Sequence, residues 1–344
     1  MAVSDPYGLG RVLNETGVLP QRAQALDASL PLRPSELLVD VDSLNVDAAS
    51  FRQLKEASGG DAGKISAAIQ EIVRTRGKLQ NPVTGSGGML IGRVREVGPQ
   101  HPASGHLQPG DRIASLVSLS LTPLHLEAVT AVHLGIDRVD VRGHAILFAS
   151  GLFARLPEDM PDTLALAALD VCGAPALVER FVRPGMRVAL LGAGKSGALC
   201  LAQARRSLAG QGQLLALDIS QPALDTLRGL GLCDVAVRVD ATQAVAVLAA
   251  VQQANGGALC DLVVNCASVP NTEMGTILSV RDGGTALFFS MATSFTAATL
   301  GAEGVGKDVT LVMGNGYVPG HAQLTLDLLR SDAGLRALFA ARYV

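Results

Sequence analysis

The chain of 344 residues has no tryptophan, three tyrosines and eight phenylalanines, so aromatics make up 3%. So few aromatic anchors argue against an aromatic-rich β-sandwich and, with 38 glycines, favour an α/β chain. Charge is also scarce, at 17% of residues, but 48% are hydrophobic, which excludes a disordered chain. There is no basic surplus: the net charge is −3, and a dedicated nucleic-acid binder is not expected. The five cysteines, Cys172, Cys200, Cys233, Cys260 and Cys266, form no CxxC pair and have no histidine at ligand spacing. That rules out a zinc ribbon and reads as buried, reduced thiols of a cytoplasmic protein. The longest apolar run, Leu164 to Val178, is broken by Asp170, Gly173 and Pro175 and is too short to span a bilayer. The first residues lack the basic and apolar regions of a signal peptide, so none is expected.

What is present changes character along the chain. The first 150 residues or so carry short strand-like runs, Glu36–Leu44, Met89–Val97 and Asp111–Leu119, set among Pro and Gly. One helix stands out over Ala62–Arg76, with Ile65, Ile69, Ile72 and Val73 at helical spacing and Gly77 to stop it. From about residue 160, strand and helix patterns alternate. A buried helix is expected over Thr163–Phe181. Strands follow at Arg187–Leu191, Gln213–Leu217, Val235–Val239, Asp261–Cys266, Thr285–Phe289 and Val309–Met313, with helices between them. Such alternation predicts a doubly wound parallel sheet.

The strongest motif follows the strand Arg187–Leu191: Gly192-Ala193-Gly194-Lys195-Ser196-Gly197 is G-x-G-x-x-G at a strand-to-helix turn. Gly192 allows the turn, Gly194 lets a pyrophosphate reach the backbone, and Gly197 lets helix and strand pack closely. The helix N-terminus offers N–H groups and a positive dipole end to phosphate. Asp218 ends the next strand, 21 residues after Gly197, where a carboxylate accepts from ribose hydroxyls and repels a 2′-phosphate. Ile219 and Ser220 supply no arginine, so NAD is expected over NADP. The competing assignment for Asp218 is a cap on the helix that follows. Gly194-Lys195-Ser196 also resembles the end of a P-loop, but the first glycine of that motif would stand at Ala189, which removes the ATPase class.

Several segments of the first half resemble the medium-chain dehydrogenase/reductase superfamily. They are Glu36–Asn45, Leu90-Ile91-Gly92-Arg93-Val94-Arg95-Glu96-Val97-Gly98, Gln108-Pro109-Gly110-Asp111-Arg112-Ile113 and Val182-Arg183-Pro184-Gly185. The resemblance covers most of the chain. It implies an α/β architecture: a GroES-like β-rich catalytic domain over 1–155 and a Rossmann NAD-binding domain over 156–320, with the active cleft between them. A C-terminal helical segment, 321–344, would pack at their junction. It also implies a homodimer or homotetramer. Departures from the zinc-dependent branch are plain. Asn45 stands in place of a cysteine ligand, Ser86-Gly87 in place of a His-Glu pair, and no cysteine lobe for structural zinc exists. No metal is expected.

Three longer strings, Thr75–Met89, Phe289–Phe295 and Leu300–Val309, narrow the resemblance to the family of L-erythro-3,5-diaminohexanoate dehydrogenases. That implies NAD-dependent oxidative deamination at C3, as in lysine fermentation, on a small-molecule substrate with two amines and one carboxylate. Such chemistry requires a cation for the carboxylate, an anion for the distant ammonium, and a base. Arg76 and Lys78 are the expected carboxylate-side cations, Lys78 through the resemblance; the alternative is that both serve the helix C-terminus. Asn45, Thr84 and Ser86 fall in the zinc-site region, where hydroxyls can bond the reacting amine or water; the alternative is a turn bonding only itself. Glu303 and Lys307 lie in what reads as a glycine-rich loop, either as an ammonium site and base or as an exposed ion pair. Ser86, Lys78 and Glu303 are thus the catalytic candidates. Around the nicotinamide, the strand ends nominate Cys266, Ser268, Ser290, Met291 and Asn315 beside Gly192–Gly197 and Asp218. His101 and His106 read as solvated. Two other functions compete: a quinone- or enoyl-type reductase of the same superfamily, which Asp218 disfavours, and a noncatalytic NAD(H)-binding protein.

Overall fold

The computed structural model describes residues 5–314 and 316–343. It divides into two units, 1–157 and 158–344. Among the described residues, no helix is long and apolar enough to cross a membrane.

The first unit is built on one antiparallel sheet. Its strands are β1 (Glu36–Val46), β2 (Gly88–Val97), β3 (Arg112–Ser115), β4 (Leu124–His133), β5 (Arg138–Phe148) and β6 (Phe153–Arg155), in the order β4-β5-β1-β2-β3-β6. Alternation turns Leu37, Val39 and Val41 of β1 inward with Val139, Val141 and Ala145 of β5. Helices α1 (Ala48–Ser58) and α2 (Ala62–Arg76) close this core with Phe51, Leu54, Ile65, Ile69 and Val73. The α2 boundaries follow from its ends. Asp61 accepts from the Lys64 N–H, and Gly77 ends the helix at φ 60°. Gly77 is fixed by packing as well, since a Cβ there would lie 1.9 Å from the Leu26 carbonyl oxygen.

Four features of this unit differ from the sequence expectation. Helix α1 is one, and the long hairpin β4–β5 is another, masked because register shifts at Leu126/Ala128 and Val129/Ala131 break the period-two alternation that marks a strand. The strand expected over Asp111–Leu119 is confined to β3. His101 is not solvated. It is buried, its Nδ1 accepts from the Ala103 N–H, its Nε2 lies 3.3 Å from the Phe148 carbonyl oxygen, and burial pushes its pKa down.

The second unit is a parallel sheet of β7 (Arg187–Leu191), β8 (Gln213–Asp218), β9 (Val235–Arg238), β10 (Cys260–Asn265), β11 (Val280–Phe288) and β12 (Val309–Met313). Its order, β12-β11-β10-β7-β8-β9, is the doubly wound arrangement, reversing direction between β7 and β10. The helices are α3 (Asp162–Leu169), α4 (Gly173–Phe181), α5 (Lys195–Leu208), α6 (Gln221–Gly229), α7 (Ala244–Ala254), α8 (Glu273–Ser279), α9 (Phe295–Gly304), α10 (His321–Ser331) and α11 (Ala333–Tyr343). The fold is therefore α/β, with one antiparallel and one parallel sheet. All five cysteines are free and buried.

The helix expected over Thr163–Phe181 is two helices. Pro175 has no N–H, and its ring would strike the carbonyl of residue 171 in a continuous helix, so it sits in the first turn of α4 instead. The segment around Glu303 is not a loop but the end of α9. Ser294 caps that helix, and its buried stripe is Ala298 and Ala302, side chains too small to register as apolar periodicity. Gly301 lets α9 approach α8, since a Cβ there would lie 2.2 Å from the Met274 sulfur.

One ion pair ties the segment before β1 to the sheet of the first unit. Arg11, 1% exposed, forks onto both Glu36 oxygens at 2.8 and 2.6 Å and reaches the Ser29 and Pro31 carbonyls. Removing Glu36 leaves the buried Arg11 charge with Asp27, 3.4 Å away and partly exposed, as its remaining carboxylate among the described residues. Glu36→Ala is expected to lower the stability of the first unit by about 3–5 kcal/mol, and the paired change Arg11→Met with Glu36→Leu to recover most of it. Urea unfolding of the parent and the two variants measures this; an unaltered midpoint for Glu36→Ala would refute the role given to the pair.

Candidate functional site

In the second unit, the glycine turn after β7 has the geometry its sequence implies. Gly192 has φ 102°, and a Cβ on it would lie 2.8 Å from the Ala267 N atom, so the loops after β7 and β10 touch. Gly197 faces the turn itself; a Cβ there would sit 1.8 Å from the Gly192 carbonyl oxygen. Gly194 is different, because a Cβ on it would meet nothing within 4 Å. Two glycines are thus demanded by the chain's own packing. The third leaves room on the open side, at the N-cap of α5, where no side chain caps the helix.

Asp218 is locked onto this turn. One carboxylate oxygen accepts from the Ala193 N–H at 2.6 Å and the other from the Ser220 N–H at 2.7 Å. It does not cap α6, because Ser220 does, its hydroxyl accepting from Ala223. The geometry of these residues fits a dinucleotide, with room for a pyrophosphate at the turn and a ribose at Asp218.

Beside the turn lies a cavity of about 720 Å³ at the carboxyl ends of the strands. Ser196, Cys266, Ser268, Ser290 and Met291, all nominated from sequence, line it together with Asp170. Asp170 ends α3 and pairs with Lys195 at 2.5 Å, so the Lys195 charge is taken up by a carboxylate rather than left free for phosphate. Asn315 lies outside the described residues. Buried groups behind the cavity hold its rim. The Asn265 amide donates to the Thr272 and Thr276 hydroxyls at 2.8 and 2.9 Å, while its oxygen accepts from Ala267. Glu273, 3% exposed, accepts from the Ser294 N–H at 2.7 Å and so anchors the loop carrying Ser290 and Met291. The reach of Glu273 to a loop 21 residues on has no local signal in the sequence.

Glu303 and Lys307 are not brought into this cavity. Glu303 is exposed on the last turn of α9. Lys307 donates to the Leu278 carbonyl at 2.8 Å, and partial burial lowers its pKa.

In the first unit, Asn45, Thr84 and Ser86 gather where β1 ends beside the start of β2. Asn45 pairs with Met89 across the strands, and Val46 with Gly88. A buried Asn81 organises the loop between: its oxygen accepts from Val83 and Thr84, and its amide donates to Gln53. The Thr84 hydroxyl is already engaged, 2.5 Å from the Ser50 hydroxyl and accepting from the Ser86 N–H. Thr84 therefore builds the turn, whereas the half-buried Ser86 hydroxyl and Asn45 amide carry no protein hydrogen bond among the described residues. The Arg76 guanidinium is half-buried and equally uncommitted.

Lys78 has another place. It is fully buried, and its ammonium donates to the Pro20 carbonyl at 2.8 Å and lies 3.5 Å from that of Gln21. Burial, and secondarily the nearby Arg76 charge, push its pKa down to about 8. In the unfolded chain that lysine titrates at its ordinary, higher value. Burying the charge therefore costs stability below pH 8, and the cost fades as pH rises towards 10.5. Stability of the parent protein relative to Lys78→Met is expected to rise by up to about 3 kcal/mol across that window, read from urea unfolding at several pH values. Parallel pH profiles would show that the ammonium is not enclosed.

Comparison with known proteins bears on the family and the fold. Residues 10–157 match the family model described as the L-erythro-3,5-diaminohexanoate dehydrogenase N-terminal domain. Proteins named L-erythro-3,5-diaminohexanoate dehydrogenase from Acetoanaerobium sticklandii and Fusobacterium nucleatum are 48% and 49% identical to the chain, each match covering 98% of both sequences. Among solved structures, an alcohol dehydrogenase from Thermotoga maritima shares the fold, with a TM-score of 0.55 at 18% identity, over 90% of this chain and 85% of that one. The chain belongs to the L-erythro-3,5-diaminohexanoate dehydrogenase family.

Proposed function

We propose that this protein is an NAD-dependent dehydrogenase that oxidatively deaminates L-erythro-3,5-diaminohexanoate at C3. The products are 5-amino-3-oxohexanoate, ammonium, NADH and one proton, with one water consumed. The substrate assignment rests on the two relatives of that name. The cofactor assignment rests on one observation, the Asp218 carboxylate held against the Gly192–Gly197 turn. At that position it accepts from ribose hydroxyls and opposes a 2′-phosphate.

The bound nicotinamide supplies the acceptor for the hydride leaving C3. The chain supplies orientation and proton handling. The C3 amine has to be neutral when hydride leaves, so its proton passes to an acceptor within hydrogen-bond reach. Ser86 and Asn45 have free polar groups suited to orienting the amine and the attacking water. Arg76 offers a planar fork to the substrate carboxylate. Lys78, shut behind the Pro20 and Gln21 carbonyls, acts as a positioning residue for the segment between Arg76 and the Ser86 loop. Thr84 serves the same loop through Ser50.

The direct test is turnover of L-erythro-3,5-diaminohexanoate with NAD, following NADH by absorbance and ammonia in parallel. Equal yields of the two are expected. NADH without ammonia would replace deamination with alcohol or enone chemistry, and tight NAD binding without any turnover would favour a noncatalytic binding protein.

The three glycines separate folding from binding. Gly194→Ala meets open space in the chain and is expected to keep the parent's melting temperature while weakening NAD binding by about tenfold or more. Gly197→Ala is expected to lower the melting temperature as well, because its Cβ collides with the Gly192 carbonyl. Calorimetric titration and thermal melts of both variants read this out; undiminished NAD affinity in Gly194→Ala would place the pyrophosphate elsewhere.

A further inference from the structure

The parallel register sets Asp218 of β8 directly against Arg238 of β9. The arginine follows Asp218 by twenty residues, and only the sheet brings the two together. Its Nε donates to the carbonyl of Ile219, the residue after Asp218, at 3.0 Å. That bond fixes the guanidinium at the carboxyl edge of the sheet. The side chain is exposed, and among the described residues no carboxylate pairs with it; both Asp218 oxygens are already turned to main-chain N–H groups. One end of the nucleotide frame thus carries a fixed anion and a fixed, unneutralised cation on adjacent strands.

We infer that Arg238 is a second determinant of cofactor choice, a cation that binds a phosphate on the adenosine ribose and that Asp218 keeps out of use. The inference rests on the proposed dinucleotide site. A ribose with free hydroxyls donates to Asp218 and needs nothing from Arg238. A 2′-phosphorylated ribose brings two negative charges against Asp218, and the Arg238 fork on the adjacent strand, whose planar donors match phosphate oxygens, offers the compensation. Preference for NAD therefore reflects a contest between two side chains. Binding of a 2′-phosphorylated nucleotide is weak but carried by Arg238.

Calorimetric titration of the full-length protein with 5′-ADP, 2′,5′-ADP, NAD and NADP tests this. In Arg238→Gln, 2′,5′-ADP is expected to weaken about tenfold more than 5′-ADP does, the effect of losing a charge-assisted phosphate contact. Asp218→Asn is expected to bring NADP affinity to within about tenfold of NAD, and adding Arg238→Gln to that variant is expected to take most of the gain away. Because Asp218 also holds the turn, Asp218→Asn could fail to fold; the comparison of the two ADP ligands in Arg238→Gln alone then decides. Equal weakening of 5′-ADP and 2′,5′-ADP would overturn the inference by placing Arg238 against the adenine or pyrophosphate. So would no weakening of either. If neither NAD nor 5′-ADP binds the parent protein, the dinucleotide reading falls and the inference with it.

Discussion

The contact between Gly197 and the Gly192 carbonyl is the constraint on which the second unit depends. A side chain at 197 would stand 1.8 Å from that oxygen, so helix α5 seats on β7 only because the residue is glycine. With α5 seated, its uncapped N-terminus lies at the end of β7, where the sheet order reverses. The turn places the Ala193 N–H against Asp218, which links β7 to the end of β8. Gly192 then lets the loop after β10 close from the other side, bringing Cys266 and Ser268 to the cavity. One missing methyl group thus organises three strand ends.

The first unit solves a different problem. It has no helix–sheet sandwich of that kind, and its N-terminal segment would be an unattached arm without specific ties. Arg11 supplies one tie through Glu36, and Lys78 a second through Pro20 and Gln21. Both bury a charge, which elsewhere would be a poor way to gain stability. Here the buried charges bond several main-chain carbonyls at fixed points and so define where the segment lies.

How far the fold could be read from sequence follows from how local each signal is. The boundaries of β7, α5 and β12 were legible, because strand hydrophobicity, the glycine turn and helical spacing all agree there. Helix α9 was not, since its inner face is Ala298 and Ala302. Strands β4 and β5 were hidden by register shifts. At the site, residues nominated through the strand-end rule, Cys266, Ser268, Ser290 and Met291, converge on one cavity with Ser196 of the glycine turn. Residues nominated by charge fared differently. Lys78, Lys195 and Lys307 were candidate cations by type, but each is engaged, by two carbonyls, by Asp170 and by the Leu278 carbonyl respectively. A sequence shows that a charge exists; what holds it is a long-range fact. Arg238 is the converse, an arginine that only strand pairing places beside Asp218.

The donor set where β1 meets β2 bears on the proposed chemistry. Asn45 and Ser86 present an amide and a hydroxyl, neither of which is a strong ligand for zinc. Oxidising an alcohol requires loss of a hydroxyl proton far above neutral pKa, for which a Lewis acid is a large help. Oxidising an amine does not. Once the C3 nitrogen gives up its extra proton, its own lone pair stabilises the cation that develops as hydride leaves. The ordinary amine pKa puts that step within reach of a modest base at neutral pH. Neutral hydrogen-bonding groups are then the better surroundings, because a fixed positive charge beside the nitrogen would oppose the positive charge growing on it. On the proposed reaction, an amide and a hydroxyl at this place suit deamination at a carbon–nitrogen bond better than a set of zinc ligands would.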